Sequence, residues 1–233
     1  MPNRAATATL VDEVLALAPR VAVFDCDGTL WSGDGGQDFL FWEIEQRLLP
    51  RAVADWVIPR YADYKAGKVD EETMCGEMVT VHAGIEVSRI EAAAEKFIEE
   101  VIAPRIFPEM LELTARLREA GCILYAVSST NQWVIGAGAR RFGISPQNIF
   151  AACVEIENGK ASNRLIRVPT DEGKARVVRE LLKLTPDAVF GNSDHDVAML
   201  QLARHAIAVS PNAALSALAI QHGWRTFWPA SGA

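Results

Sequence analysis

Five short runs of apolar residues, separated by stretches with helical spacing, limit the folds open to this chain of 233 residues. Such continuous apolar runs, without polar alternation, are typical of strands buried on both faces of a parallel sheet. Helical patterns such as PEMLELTARLREAG and DEGKARVVRELLKL lie between the runs, which are RVAVFD, CILYAVSS, NIFAAC, DAVFGN and HAIAVS. This strand–helix alternation predicts an α/β three-layer sandwich around a central parallel sheet.

A second feature is the stretch from residue 35 to about residue 104, which contains no strand-like run. DFLFWEIEQRLL, RAVADWVIPRYADYKAG and VSRIEAAAEKFIEEVI all have helical spacing, and prolines mark the end of the stretch. We therefore predict an α/β core domain, residues 1–34 and 105–233, with an all-helical cap domain, residues 35–104, inserted after the first strand. Asn158 and Gly159, between two alternating arms, predict a β-hairpin.

Composition narrows the range of partners. The net charge is -7, so a nucleic-acid partner is not expected. No apolar run approaches the roughly 20 residues that span a membrane, so no membrane partner is expected either. The N-terminus has no signal-peptide pattern, and the four cysteines have no metal-ligand spacing. These features predict a cytoplasmic protein with reduced thiols, either a monomer or a homodimer.

Two aspartates, Asp25 and Asp27, follow directly after the first apolar run. In open α/β sheets, ligands bind beyond the carboxyl ends of the strands. Two carboxylates at this position can divide the work, one as a nucleophile and the other as a proton donor, and they can attract a hard cation such as Mg²⁺. The alternative is a strand-end turn whose aspartates are merely solvated.

Polar residues also follow the second run and precede the helix of DEGKARVV. Ser128 ends the second run, and together with the amides of the next turn it would form an anion site. Alternatively, the residues after it only cap the following helix.

Lys174 lies in the first turn of a helix that Thr170 or Asp171 could cap. Because cations are disfavoured at a helix N-terminus, this lysine indicates an anionic neighbour.

The fourth run ends in GNSDHD, which places Asn192, Asp194 and Asp196 together. Oxygen ligands of this kind suit Mg²⁺, whereas the simpler interpretation is a turn that caps the next helix.

Taken in order, DCDGT, Ser128, Lys174 and GNSDHD resemble the motifs of the haloacid dehalogenase superfamily. The resemblance covers residues 21 to about 210 and implies a Rossmann-like core. A helical insert after the first motif resembles the phosphoserine-phosphatase-like branch with a C1-type cap.

The resemblance implies a phosphatase mechanism on a small phosphorylated metabolite. Asp25 would be the nucleophile that forms an aspartyl-phosphate, and Asp27 the general acid and then the base. Lys174 would bridge Asp25 and the phosphate, which Ser128 would also bind. Ser129 and Gly28 would complete the phosphate site.

The metal motif departs from the family pattern, G-D-x-x-x-D. The implied Mg²⁺ ligands are Asp25, Asp27 through its main-chain carbonyl, Asn192 and Asp196. Asn192 replaces the first acid of the pattern, so the site loses one negative charge, which Asp194 could restore. This departure leaves a phospho-ligand-binding protein with little turnover as an alternative. A phosphotransferase or phosphomutase of the same superfamily is another.

The predicted cap should contact the substrate. Asp34 is near the position where an acidic residue of phosphoserine phosphatases resembles an amine-contacting group. The arginine that those enzymes use for the substrate carboxylate has no clear match here. Trp31, Trp42 and Trp56 could favour a cationic alcohol through cation–π contacts, although such aromatic residues usually belong to a helical core. The prediction is an Mg²⁺-dependent phosphatase for a phosphoserine-like or amino-alcohol phosphate.

Overall fold

The computed structural model of the protein describes residues 4–183 and 185–230. Its strands are β1 (Val21–Phe24), β2 (Ile123–Asn131), β3 (Ile149–Glu157), β4 (Lys160–Arg167), β5 (Ala188–Gly191), β6 (His205–Val209) and β7 (Arg225–Phe227). Its α-helices are α1 (Arg4–Ala16), α2 (Gly35–Glu45), α3 (Arg51–Lys65), α4 (Glu71–Thr80), α5 (Val87–Phe97), α6 (Pro108–Glu119), α7 (Gln132–Ala139), α8 (Glu172–Arg176), α9 (Val197–Leu200) and α10 (Ala213–His222).

The strands form one seven-stranded sheet in the order β4-β3-β2-β1-β5-β6-β7. Strand β4 is antiparallel to β3, and the other described pairings are parallel. The chain builds outward from β1 to β2 and β3 on one side and then crosses to β5 on the other. This change of direction makes the carboxyl end of β1 the place where an open α/β sheet binds its ligand.

Helices cover the sheet on both faces. On one face, Phe24 and Phe190 stack with ring centroids 4.4 Å apart, within a buried cluster that includes residues of α1 and α6. On the other face, Val23 and Val189 belong to a second cluster, with residues from α9 and α10. The alternation of side chains along each strand supplies both clusters, because successive residues point to opposite faces. The predicted three-layer α/β sandwich is confirmed.

The elements that the structure describes between β1 and β2 are all helices or helical turns. Helices α2 to α5 are followed by a π-helical turn (Ile98–Ile102) and a 3₁₀ turn (Ala103–Arg105). Helix α4 packs against β2, β3 and β4, and α5 packs against α7. These contacts position one face of the helical segment over the carboxyl ends of the strands. The boundaries of a separate cap domain, residues 35–104, stay a prediction.

The hairpin prediction is confirmed, since Asn158 and Gly159 join β3 to β4 with φ values of 51° and 78°. Positive φ at both central residues is the conformation of a type I′ turn. Strand β7 was not predicted, because three residues at a sheet edge give too short a pattern. The helix expected after GNSDHD is short: a 3₁₀ turn (Asp194–Asp196) comes first and only α9 follows, since Asp196 turns inward to the site described below.

Candidate active site

One cavity of about 220 Å³ lies at the carboxyl ends of the strands and contains most of the residues that the sequence predicted for the site. Its walls combine strand-end residues with residues of α3 and α4. The predicted site residues that line it are Asp25, Asp27, Asp34, Ser128, Ser129, Lys174 and Asn192. Gly28 and Asp196 lie beside the cavity without lining it. The parallel sheet therefore brings sequence motifs far apart in the chain to one edge.

Asp25 directly follows β1, and the neighbouring strand β5 fixes its main chain. Its main-chain N–H donates to the carbonyl of Phe190, and its side chain is buried. Oδ2 accepts from the Thr29 hydroxyl at 2.9 Å, and Oδ1 accepts from Lys174 Nζ at 2.6 Å. Each oxygen keeps a lone pair for a further partner. Burial, with repulsion from Asp196, raises the pKa of Asp25 to about 7.

Lys174 lies between two carboxylates. Its Nζ donates to Asp25 and also to Asp196 Oδ1 at 2.5 Å, and all three side chains are buried. Burial alone would lower the pKa of Lys174, but the two carboxylates outweigh it and raise that pKa. The anionic neighbour predicted for this lysine is present. The predicted cap of α8 is wrong in detail, because the Asp171 side chain accepts no N-cap hydrogen bond and contacts His195 instead.

Asp27 is held by three donors from three parts of the chain. Oδ1 accepts from Trp31 Nε1 and from the Gly35 amide, each at 2.7 Å, and Oδ2 accepts from the Thr130 hydroxyl at 2.7 Å. Burial raises the pKa of Asp27, although these hydrogen bonds oppose the shift. Because Oδ1 has two donors and Oδ2 only one, Oδ2 is the oxygen that can carry or accept a proton. This difference from Asp25 gives the two carboxylates separate environments.

The glycines at the start of α2 let the backbone come close to Asp27 and Thr130. A Cβ on Gly35 would lie 2.6 Å from Asp27 Oδ1, and one on Gly36 would lie 2.8 Å from Thr130 Oγ1. Real side chains do not tolerate such distances, so the backbone approach to Asp27 requires glycine here. The start of α2 thus forms one wall of the Asp27 site.

At the end of β2, Ser128 is buried and its Oγ accepts from the Thr130 amide at 3.2 Å, which leaves the Ser128 hydroxyl proton for a ligand. For the residues after Ser128, the sequence left a helix cap as the alternative to an anion site. The cap is present, because the Asn131 side chain accepts from the Trp133 and Val134 amides at the start of α7, so these two amides are not open to an anion. Ser128 and Ser129 remain the hydroxyls that line the cavity here.

Gly28 and Asn192 form a tight contact beside the cavity. Gly28 has φ of 72°, and a Cβ on it would lie 1.9 Å from Asn192 Nδ2. Side-chain atoms on Gly28 are thus excluded by the Asn192 amide, and Gly28 does not itself line the cavity. Asp194 does not replace the missing acid, because its carboxylate accepts from Asn212 Nδ2 at 2.8 Å and does not line the cavity.

These residues fit a divalent cation with oxygen ligands. Among the described residues no group of three or more His, Cys, Asp or Glu side chains is arranged to hold a metal ion. The remaining donors would be an amide, a main-chain carbonyl and water, a mixture that Mg²⁺ accepts. Two buried carboxylates, Asp25 and Asp196, face a single ammonium. A divalent cation would balance this excess.

The wall contributed by α3 and α4 contains residues that the sequence did not single out. Tyr61, Tyr64, Glu71 and Cys75 line the cavity opposite the strand ends. Trp56 is 48% exposed and does not line the cavity. Trp31 is buried and donates to Asp27. Neither tryptophan therefore lies where the sequence suggested a contact with the substrate. The predicted Asp34 does line the cavity, and it caps α2 through the Gln37 amide.

Thr29, Trp31 and Thr130 hold the two motif aspartates, a role that the sequence did not predict for any of them. Thr29 and Trp31 stand four residues after Asp25 and Asp27, so the motif itself contained that signal. Thr130 is 103 residues from Asp27, and only the pairing of β1 with β2 brings them together. His195 lines the cavity, and its Nδ1 is 2.8 Å from Asp171 Oδ1.

No helix in the described parts of the chain is both long and apolar enough to cross a membrane.

Comparison with known proteins finds relatives that are named as phosphatases. The chain is 31% identical over 147 residues to phosphoserine phosphatase SerB1 of Mycobacterium tuberculosis, covering 60% of this chain and 47% of that protein. It thus spans about half the length of that relative. It is 26% identical to a histidinol-phosphatase of Neisseria meningitidis, covering 88% of this chain and 96% of the other.

The fold agrees with these matches. The solved structure of a phospho-aspartyl intermediate analogue of phosphoserine phosphatase superposes with a TM-score of 0.58 at 18% identity, covering 85% of this chain and 90% of that one. The family model for haloacid dehalogenase-like hydrolases matches residues 22–201, which include every motif that the sequence resemblance used. The chain therefore belongs to the haloacid dehalogenase-like hydrolases, with a phosphoserine-phosphatase-like fold.

Proposed function

We propose that the protein is an Mg²⁺-dependent phosphatase that hydrolyses a small phosphomonoester through an aspartyl-phosphate on Asp25. The observation that carries the proposal is the pair of carboxylates on one cavity, with Asp25 bound to Lys174 and Asp27 bound to three neutral donors. Family membership supports it, as do the names of the phosphoserine phosphatase and histidinol-phosphatase relatives. The class of substrate is a small phosphorylated metabolite.

In the first step, an Asp25 carboxylate oxygen attacks phosphorus, and the bond from phosphorus to the alcohol oxygen breaks. Asp27, protonated on Oδ2, gives its proton to the leaving oxygen, so the product is a neutral alcohol. Burial raises the pKa of Asp27, and a carboxyl with a raised pKa keeps its proton long enough to act as the general acid. Lys174 and the Ser128 hydroxyl offset the charge on the phosphoryl oxygens.

In the second step, water replaces the alcohol. The Asp27 carboxylate takes a proton from the water, whose oxygen attacks phosphorus and breaks the bond to Asp25. Inorganic phosphate leaves, Asp25 is restored as a carboxylate, and Asp27 is protonated again. The donors Trp31 and Gly35 keep Oδ1 fixed through both steps. We propose that residues 35–104, as a cap domain, exclude bulk water from this site.

Mg²⁺ would be held by Asp25, Asp196, the Asn192 amide and the Asp27 carbonyl. When bound, it supplies positive charge that keeps Asp25 ionised and balances the phosphoryl oxygens. The raised pKa of Asp25, about 7, supports a role for such a charge near neutral pH. Lys174 by itself balances only one of the two buried carboxylates that it contacts.

The test is phosphate release from p-nitrophenyl phosphate with Mg²⁺ and with EDTA. We expect turnover with Mg²⁺, loss of turnover in EDTA, and loss in Asp25→Asn. Asp55→Asn is the matched control, because Asp55 is exposed and contacts only Arg51 one helical turn away. Acid-quenched wild type should carry one phosphoryl group on the peptide that contains Asp25. Turnover that survives Asp25→Asn would contradict the nucleophile, and no turnover over a broad phosphate panel would contradict the phosphatase.

One observation favours a second candidate, a phospho-ligand-binding protein with little turnover. Asn192 stands where the family has an acid, and Asp194 is turned toward Asn212. With fewer charges, the site would hold Mg²⁺ weakly. Asn192→Asp separates the candidates. A large gain in kcat favours the binding protein as the natural state, whereas an unchanged or lower kcat favours the phosphatase.

A further inference from the structure

The cavity has two chemically different ends. Asp25, Ser128 and Lys174 form the end where the phosphate would bind. The opposite wall consists of Tyr61, Tyr64, Glu71 and residues after Glu71 on α4. Because the leaving alcohol must extend from the phosphate toward that wall, the wall determines which alcohols are accepted.

Negative charge dominates the alcohol end. Asp34, at the start of α2, accepts the Gln37 amide on Oδ1 and has no described partner on Oδ2. Glu71, at the start of α4, accepts the Tyr64 hydroxyl on Oε2 and only a weak thiol contact from Cys75 at 3.6 Å on Oε1. The two carboxylates are close enough to influence each other. Partial burial, with repulsion from Asp27 and Glu71, raises the pKa of Asp34 to about 6.

Positive charge for a substrate carboxylate is scarce in the same place. Of the described residues that line the cavity, Lys174 is the only lysine or arginine, and both Asp25 and Asp196 already occupy its ammonium. The nearest arginine at the mouth, Arg105, pairs with Asp38 at 2.5 Å and does not line the cavity. His195 also lines the cavity; burial alone would lower the pKa of its imidazole, but Asp171, Glu71 and Asp194 outweigh burial and raise that pKa. A carboxylate beside the ester would therefore meet Asp34 and Glu71, and among the described lining residues its one cation besides Lys174 would be His195, whose Nδ1 Asp171 already occupies.

Aromatic faces complete the alcohol end. Tyr61 and Tyr64 lie with ring centroids 5.5 Å apart, and Tyr61 is 5% exposed. Lys65, which does not line the cavity, places its ammonium 5.7 Å from the Tyr64 centroid and 5.9 Å from the Tyr61 centroid, so both rings already have a cation beside them. Tyrosine faces and carboxylates together attract an ammonium group more strongly than either does alone.

We propose that the substrate is the phosphate ester of an amino alcohol without a carboxylate, whose protonated amine lies between Asp34 and Glu71 beside the tyrosine rings. This specificity rests on the proposed phosphatase activity. It excludes phosphoserine as the preferred substrate, because phosphoserine adds a carboxylate at the end that repels it.

Three esters that differ by one group test the proposal with the full chain and Mg²⁺. Ethyl phosphate has no ionised group on its alcohol, aminoethyl phosphate adds the ammonium, and phosphoserine adds a carboxylate to that. We expect kcat/KM for aminoethyl phosphate to exceed the values for ethyl phosphate and phosphoserine by about tenfold or more. The ratio of two kcat/KM values does not depend on the fraction of folded enzyme.

Variants assign the effect to the residues. Glu71→Gln and Asp34→Asn keep side-chain shape, and asparagine still caps a helix, so α2 and α4 should remain. The ratio of aminoethyl to ethyl phosphate should fall about tenfold toward one in each. Glu72→Gln is the matched control, because Glu72 neighbours Glu71 on α4 but does not line the cavity. It should keep the wild-type ratio.

The outcomes separate the two proposals. Hydrolysis of all three esters with ratios near one, or phosphoserine as the best substrate, overturns the specificity and leaves the phosphatase intact. A high ratio that survives both Glu71→Gln and Asp34→Asn overturns the assignment to these carboxylates. No hydrolysis of any ester overturns the phosphatase and the specificity with it.

Discussion

Lys174 and Asp196 form a buried ion pair, with 2.5 Å between Nζ and Oδ1. Asp196 accepts on its other oxygen from the amides of Asn192 and Ser193, so its carboxylate ties the GNSDHD loop to the lysine. The same ammonium reaches Asp25. This one cation therefore holds the DCDGT and GNSDHD motifs together.

Lys174→Met should destabilise the protein in a pH-dependent way. Without the ammonium, two buried carboxylates lose their partner, which costs about 3 kcal/mol near neutral pH. The folded-state pKa of Asp25, about 7 in wild type, rises further in the variant, so above pH ~7 the folded variant keeps a proton that folded wild type loses. Unfolding free energy should therefore fall faster with rising pH in the variant than in wild type.

Denaturant unfolding at pH ~6 and pH ~8.5, in EDTA, measures this difference, because these values lie on either side of the wild-type pKa of Asp25. Lys68→Met is the control, since Lys68 forms an exposed pair with Asp63 and should change stability by less than about 1 kcal/mol at both pH values. A Lys174→Met deficit that is equal at the two pH values would contradict the electrostatic explanation.

Mg²⁺ should raise the melting temperature of wild type. A ligand that binds only the folded state, at about 100 times its Kd, adds ~2.7 kcal/mol, or about 5 °C for a chain of this size. Asn192→Ala should lose this shift, because its amide would contact the ion. Asp194→Asn should keep it, because Asp194 faces Asn212. Differential scanning at matched ionic strength gives the comparison, and the reverse pattern would make Asp194 the ligand.

Trp31→Phe should lower kcat by about tenfold, with a smaller effect on KM. The indole N–H of Trp31 donates to Asp27 Oδ1 at 2.7 Å, and phenylalanine cannot replace it. Trp133→Phe is a matched control, because Trp133 is also buried but its Nε1 has no described partner. Steady-state kinetics on p-nitrophenyl phosphate should separate the two variants. Equal losses would mean that packing, not the hydrogen bond, is responsible.

Local patterns predicted the strand-end part of the site, and the global fold determined the rest. Asp25, Lys174 and Asn192 each follow or precede an identifiable element, and parallel strands bring such residues to one edge. Glu71 and Tyr64 could not be predicted, because their helical spacing is the same for a cavity wall as for a solvent face. A cap on α7 is one of two interpretations that the sequence allows, and the sequence alone cannot show that the Asn131 side chain takes the Trp133 and Val134 amides that an anion would otherwise bind.

Gly35→Ala should lower kcat strongly while leaving the fold in place. The Gly35 amide donates to Asp27 Oδ1, and an added Cβ would lie 2.6 Å from that same oxygen, so Asp27 must shift. A displacement of this kind at a reacting group costs about 100-fold in rate. Gly136→Ala is the matched control, because a Cβ on Gly136, in α7, meets nothing within 4 Å.

The two alanine variants should move in opposite directions. Alanine in an open helical position stabilises by roughly 0.5–1 kcal/mol, so Gly136→Ala should raise the melting temperature and keep kcat. Gly35→Ala should lower kcat at a melting temperature within a few degrees of wild type. Because Asp27 also keeps its Trp31 and Thr130 donors, its carboxylate cannot leave the site and must be misplaced within it. A Gly35→Ala enzyme with wild-type kcat would therefore show that the position of Asp27 does not limit the rate.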